Sequence, residues 1–216
     1  MRLPSGHGRV SASRLPRSDH YEKSRANRGV IAGGVAGSGG GGSASLVQSA
    51  AAACAAARVA GVTRDHISYA IQEFSGLPHR QELIRTLGQV GYINDRKASN
   101  VDYAAKALAC YENFHCIAGG QFKEGSIDGL KTHIERIQHA YLIGEAAIRL
   151  TEELEGNVEV TRSQDLKTAV GQAHEKAQND CRPAVVLFSP ACASFDQFAN
   201  FEERGDGFRA AVELLV

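Results

Sequence analysis

The sequence predicts an α/β fold: a Rossmann-like, mainly parallel sheet with helices on both faces, preceded by a helix pair and a disordered Gly- and Arg-rich tail. Three observations carry this reading. Beyond residue 82, short apolar runs alternate with amphipathic stretches of helical period, the pattern of right-handed βαβ units. Residues 46–60 are mostly alanine, the strongest helix former. Residues 1–45 hold ten of the 23 glycines and seven Lys/Arg against two Asp/Glu, without any apolar period.

The elements follow in order. Gly33 to Ser45 reads as a flexible linker. It follows Val30-Ile31 but lacks the Lys-Ser or Lys-Thr ending of a phosphate-binding loop. A first helix runs from Leu46 and is stopped by Gly61. Thr63 caps a second helix, with Ile67, Ala70, Ile71 and Phe74 on one face, and Gly76-Leu77-Pro78 ends it. Two short strands, 82–87 and 90–94, flank Gly88. Asn100 caps a helix to about residue 112, and 114–120 is an apolar strand running into glycines. Helices are expected near 128–138, 145–155, 163–178 (capped by Ser163) and 200–215. Strands are expected at 140–144, 158–161 and within 183–191.

Composition sets limits. Charged residues are 22% and hydrophobic residues 43% of 216, ordinary globular usage. The longest apolar run, Ala50 to Ala57, is closed by Arg58, far short of the roughly 20 residues that span a bilayer. Past residue 45 the chain carries 17 Lys/Arg against 22 Asp/Glu, a mildly acidic globule that does not suit nucleic acid. The five cysteines form no CxxC pair and the eight histidines no HxxxH or HExxH spacing, so reduced structural thiols are expected and no metal site.

Ligands of an open parallel sheet sit beyond the carboxyl ends of its strands. Three such ends carry anion-friendly residues. Asn94-Asp95-Arg96-Lys97-Ala98-Ser99-Asn100 combines cations, a carboxylate and a hydroxyl before a helix start; it also fits an ordinary polar loop. Gly119-Gly120-Gln121-Phe122-Lys123 lets backbone approach a ligand beside a point charge, and a surface lysine after a turn fits it as well. Ser189 to Asp196 follows the most apolar strand with small residues and hydroxyls. Ser194 lies in no GxSxG elbow, and Cys192 has no recognisable His partner, so neither reads as a nucleophile. Convergence of these ends describes a site for a small, doubly anionic ligand, with or without a nucleotide.

The segments GLPHRQE (76–82), INDRKASN (93–100), AGGQFKEG (118–125) and LFSPACASFDQFANFEERGDGF (187–208) resemble, in this order, the C-terminal domain of the Mur ligases, in particular the branch that adds D-glutamate. The resemblance spans about residues 46–216. It implies that 1–45 are a disordered basic tail, 46–75 a helical remnant of a central ATPase domain, and 76–216 the amino-acid-binding C-terminal domain. It also implies an ATP-dependent, Mg2+-assisted ligase of peptidoglycan synthesis, in which ATP activates the carboxylate of UDP-N-acetylmuramoyl-L-alanine as an acyl phosphate and D-glutamate attacks it. By motif match Ser99, Lys123, Ser194 and Phe201 would hold D-glutamate, and Arg80, Asp95 and Lys97 would face ATP.

The pattern departs from the family in places. Serine replaces the usual threonine at Ser99. Arg96 stands where the family usually has serine, adding a positive charge beside the site. Residues 1–45 match nothing in the family, and the abrupt join is what a shifted frame or misplaced start would give. No Gly-Lys-Thr loop and no catalytic Glu or His of the central domain is present, so the chain alone is expected to hold no catalytic residue, no metal and no tightly bound ATP, and not to ligate. The alternative is a stand-alone module that binds D-glutamate or nucleotide without chemistry. A bacterial cytoplasmic monomer without nucleic-acid or membrane partners is expected.

Overall fold

The fold is a six-stranded sheet in the order β1-β2-β6-β3-β4-β5. The computed structural model describes residues 41–74, 78–122 and 127–216. The strands are β1 (Glu82–Leu87), β2 (Val90–Asn94), β3 (Phe114–Gly119), β4 (Ile137–Ile143), β5 (Val160–Gln164) and β6 (Ala184–Phe188). All neighbours run parallel except β1, which pairs antiparallel with β2 and brings Glu82 opposite Asn94. The cause is the Gly88-Gln89 connection: two residues can close a hairpin but not a parallel crossover.

The helices are α1 (Gly41–Val59), α2 (Arg64–Glu73), α3 (Val101–Leu108), the short α4 (Asp128–Lys131), α5 (Ala147–Leu154), α6 (Leu166–Gln178) and α7 (Phe201–Glu213). α3, α4 and α5 bury Ala104, Ala107, Leu108, Leu130, Leu150 and Leu154 against one face of the sheet. α6 and α7 bury Leu166, Val170, Ala173, Phe208 and Val212 against the other. Chain ends of these helices are satisfied locally. Asn100 Oδ1 accepts the Tyr103 N–H at 3.0 Å, and Asn200 Oδ1 accepts that of Glu203 at 2.7 Å. Glu203 Oε2 accepts back from Ala199 N–H at 2.8 Å, so side chain and backbone cap each other.

Several boundaries differ from the sequence-based expectation. The helix expected near 128–138 is broken: α4 gives way to a 3-10 turn (Ile134–Arg136) at His133, whose φ of −126° is not helical. β4 then starts at Ile137, which is buried opposite Phe114. The helix after Asn100 ends at Leu108, and Tyr111 and Phe114 turn into the core. β5 runs to Gln164, so Asp165 rather than Ser163 caps α6; Ser163 is buried and donates to Gln172 Oε1 at 2.6 Å. Residues 41–45, expected within the unstructured tail, are helical; residues 1–40 lie outside the described residues, as do 75–77 of the expected stop after α2.

α1 closes at Gly61, whose φ of +87° lets Val62 N–H reach Ala57 O at 2.9 Å. α2 buries no residue: Tyr69, Ile71 and Phe74 are 65%, 54% and 61% exposed. Among the described residues no helix is long and apolar enough to cross a membrane.

Candidate functional site

Strand order builds the site. β6 lies between β2 and β3, so the three anion-friendly strand ends emerge side by side. β2 and β3 pass the chain to the α3–α5 face, whereas β6 passes it to α7 on the opposite face. A crevice flanks β6 wherever neighbouring connections diverge in this way.

The three loops form one hydrogen-bonded platform. Asp95 N–H donates to Phe188 O and Ala191 N–H to Ala98 O, both at 2.8 Å, joining the loops after β2 and β6. Gly119 N–H donates to Pro190 O at 2.9 Å, and Gln121 and Ala193 exchange backbone bonds at 2.9 Å, joining the loops after β3 and β6. Gly120 N–H donates to Ile143 O at 3.1 Å, which brings in the end of β4. Such close approach excludes side chains. A Cβ on Gly119 would lie 2.0 Å from Ile143 O, one on Gly120 2.2 Å from Ala193 O, and both residues hold φ near +128°.

Three non-glycine residues here also adopt positive φ: His79 (60°), Gln81 (46°) and Ala191 (57°). Backbone strain of this kind persists where the surroundings hold it, commonly at ligand sites. His79 N–H donates to Glu82 Oε2 at 2.9 Å, and Gln81 N–H donates to Asp95 Oδ1 at 3.2 Å. The strained turn places the exposed Arg80 beside buried Asp95. It does so because β1 is antiparallel and begins at the carboxyl edge of β2. Burial pushes the Asp95 carboxyl up to about 7, against the opposing pull of the Gln81 N–H and Arg80.

Phe201, half-buried at the start of α7, meets two cations from the loop after β2. Lys97 Nζ is 4.2 Å and the Arg96 guanidinium 4.7 Å from its ring centroid. Residues expected on the amino-acid side and on the nucleotide side thus meet at one ring. Ser194 is 2% exposed, and its carbonyl accepts from Gln197 and Phe198 N–H in the turn leading to α7. Ser99 is half-buried just before α3. Lys123 lies outside the described residues.

Two arms of the platform were not singled out from sequence. Asn94 is fully buried; its Nδ2 donates to Gly205 O at 3.0 Å and meets His79 Nδ1 at 3.1 Å, tying β2 to α7. Burial, then the nearby Arg96 charge, lowers the His79 pKa. Arg204 is 1% exposed and donates to Ala193 O at 2.9 Å and Cys192 O at 3.0 Å, fixing the loop after β6. Its signal was present: Arg204 falls in step with Phe208, Ala211 and Val212 on the buried stripe of α7, where an unpaired arginine would be costly. The Cys192 thiol is fully buried and pushed up to about 12 by burial, a protonated packing group at neutral pH. Among the described residues, no group of three His, Cys, Asp or Glu is placed to hold a metal ion.

No protein-family model matches the chain. Curated relatives do. It is 48% identical over 161 residues to UDP-N-acetylmuramoylalanine–D-glutamate ligase of Phenylobacterium zucineum, covering 74% of this chain and 34% of that protein. It is 49% identical over 161 residues to the protein of the same name in Paramagnetospirillum magneticum, with 74% and 35% covered. The chain therefore spans about a third of the length of the relatives it matches. Among solved structures it shares its fold with UDP-N-acetylmuramate-alanine ligase from Thermotoga maritima, at a TM-score of 0.53 and 14% identity, covering 78% of this chain and 37% of that one.

Proposed function

Because this chain belongs, over its matched residues, to the Mur ligase family, we propose that residues 76–216 are the amino-acid-binding domain of an ATP-dependent ligase that adds D-glutamate to UDP-N-acetylmuramoyl-L-alanine in bacterial cell-wall synthesis. The observation that supports it best is the platform at the carboxyl edge of β2, β6 and β3, where the matched motifs are hydrogen-bonded into one surface.

In this reading Ser99, Lys123, Ser194 and Phe201 hold D-glutamate. Two carboxylates need cation and hydroxyl contacts from separate loops, and Ser99, Lys123 and Ser194 follow three different strands. Arg80, Asp95 and Lys97 face the nucleotide. Arg80 and Lys97 suit that role because both are exposed cations at the rim. ATP, with Mg2+, supplies the phosphoryl group that activates the muramoyl carboxylate. This chain's residues orient the amine of D-glutamate and neutralise charge, which is most of what such chemistry asks of a protein. The chain acts as a cytoplasmic monomer, binds ATP weakly on its own, and contributes no catalytic residue. It does not ligate alone.

The stand-alone binding module is the second reading. It calls for α1 and α2 packed firmly on the sheet, and the exposed apolar residues of α2 speak against it. The deciding experiment titrates the purified chain with isotopically labelled D-glutamate and L-glutamate by NMR and assays amide formation with ATP and UDP-N-acetylmuramoyl-L-alanine. Selective D-glutamate binding without product is expected. No binding of either enantiomer sinks the amino-acid site, and product above the buffer rate sinks the claim that the chain does not ligate.

A further inference from the structure

Arg96 is 4% exposed, yet among the described residues its Nε and Nη1 make no hydrogen bond. Its stem crosses Gly205, where a Cβ would come within 2.1 Å of Arg96 Cδ, so glycine at that point of α7 makes room for it. Its guanidinium lies over Phe201, 4.7 Å from the ring centroid, and Lys97 Nζ lies over the same ring. The nearest carboxylate, Glu202, is 3.5 Å from Nη1 and half exposed. That is a charge pair without a hydrogen bond.

A second buried guanidinium adjoins it. Arg204 has an unpartnered Nε and feels the positive charge of Arg96. The carboxylates around the pair, Glu202, Asp196 and Asp206, are all at least partly open to solvent. Buried cations with unpaired N–H groups are expensive to keep. An oxyanion that met those N–H groups would remove the cost, because hydrogen bonds from a guanidinium to an oxyanion are among the strong ones.

We propose that Arg96 is a specificity-determining oxyanion contact. It releases Glu202 to solvent and takes, through its unpartnered N–H groups, a phosphate or carboxylate group of the ligand held against Phe201. The role goes beyond the residues assigned above. It rests on the proposed function only for the identity of the ligand.

The test uses the full chain titrated separately with inorganic phosphate and with D-glutamate, as wild type and as Arg96→Ser, Arg96→Lys and Glu202→Gln. Arg96→Ser is expected to weaken one of the two ligands by about tenfold, the loss of a charged hydrogen bond. Arg96→Lys, lacking the fork, falls between. Glu202→Gln alters only a half-exposed side chain and is expected to tighten the same ligand several-fold, because it removes the competing carboxylate. A purely structural Arg96 would give no such tightening. A response to phosphate assigns the contact to the nucleotide side, and a response to D-glutamate to the amino-acid side. Phosphate binding that depends on Arg96, in a chain that ignores D-glutamate, rejects the D-glutamate reading and keeps this contact. If the wild type binds neither ligand, or if Glu202→Gln tightens neither, the contact is overturned.

Discussion

Asp95 shows how one buried group sets pH behaviour. Its carboxyl titrates at about 7 in the folded chain against an ordinary value of 3.8. The folded state therefore holds its proton more tightly than the unfolded state, and stability falls as pH rises from about 4 through about 7. Asn at this position can still accept the Gln81 N–H through Oδ1, without the charge. Asp95→Asn should stabilise the chain little at pH 4 and increasingly up to neutrality, with a ceiling of about 4 kcal/mol. Urea unfolding at pH 4.5 and 8 checks this; a gain that does not change with pH would show that burial is not what holds the proton. The same residue shows the limits of sequence reading. INDRKASN marks a polar loop, but nothing in it says that Asp95 turns inward while Lys97 stays out. That choice is made by the Asp95 N–H bond to Phe188 O, 93 positions away in sequence.

At the level of elements, the glycines after β3 and the underside of α6 are the sensitive places. Gly120→Ala forces a side chain to within 2.2 Å of the Ala193 carbonyl at a φ that alanine avoids. It should cost at least about 3 kcal/mol and abolish ligand binding, measured by thermal unfolding and titration together. Beneath α6, His139 stacks 4.5 Å from Tyr141 and contacts Glu159, Lys176 and Thr161, and His174 meets Tyr92 Oη at 2.5 Å. Burial lowers the pKa of both imidazoles. They are neutral when folded and gain protons more readily when unfolded, so stability is kept above about pH 6.5 and lost as pH falls below it. His139→Gln should shrink the loss between pH 7 and 5; an unchanged acid limb would remove His139 from this account. These acid and neutral limbs have opposite signs, so the Asp95→Asn background separates them. The alternation of strands and helices was legible because apolar period reports burial directly. The direction of β1 lay in the sequence as well, in the two residues that part 82–87 from 90–94, a connection that only a hairpin can make. Ser163 looked like a cap because sequence does not show that β5 continues beneath it.

Over the whole molecule, the helix pair and the sheet are energetically unequal. α2 has no buried residue, while both faces of the sheet are covered. Removing residues 1–77 is therefore expected to move the melting temperature by less than about 4 °C, under roughly 1 kcal/mol for a domain of this size. It should also reduce binding of an apolar dye, since Tyr69, Ile71 and Phe74 would be gone. A larger drop in melting temperature would mean that the pair is part of the fold. The site was legible from sequence as a set of strand ends, which the general rule for open sheets supplies. The meeting of Arg96 and Lys97 at Phe201 was not, because those contacts bridge about a hundred residues; Arg204, which holds Ala193 and Cys192 only 11 and 12 positions back, showed its burial in the stripe of α7.

The place of β6 has a consequence for how the protein comes into being. It is the last strand in the chain, yet it alone links the β1–β2 hairpin to β3. While a ribosome is still making the protein, the hairpin and the β3–β4–β5 ribbon emerge as two separate pieces, each with an open edge facing the gap. Only when residues 184–188 and the segment on to Arg204 are released can the gap close and the proposed ligand surface form. Assembly and competence are thus one late step, governed by the most distant pairings in the chain. A stalled or prematurely terminated product lacking this strand would carry two sticky edges and no binding surface, a species for quality-control proteases rather than a partly useful protein.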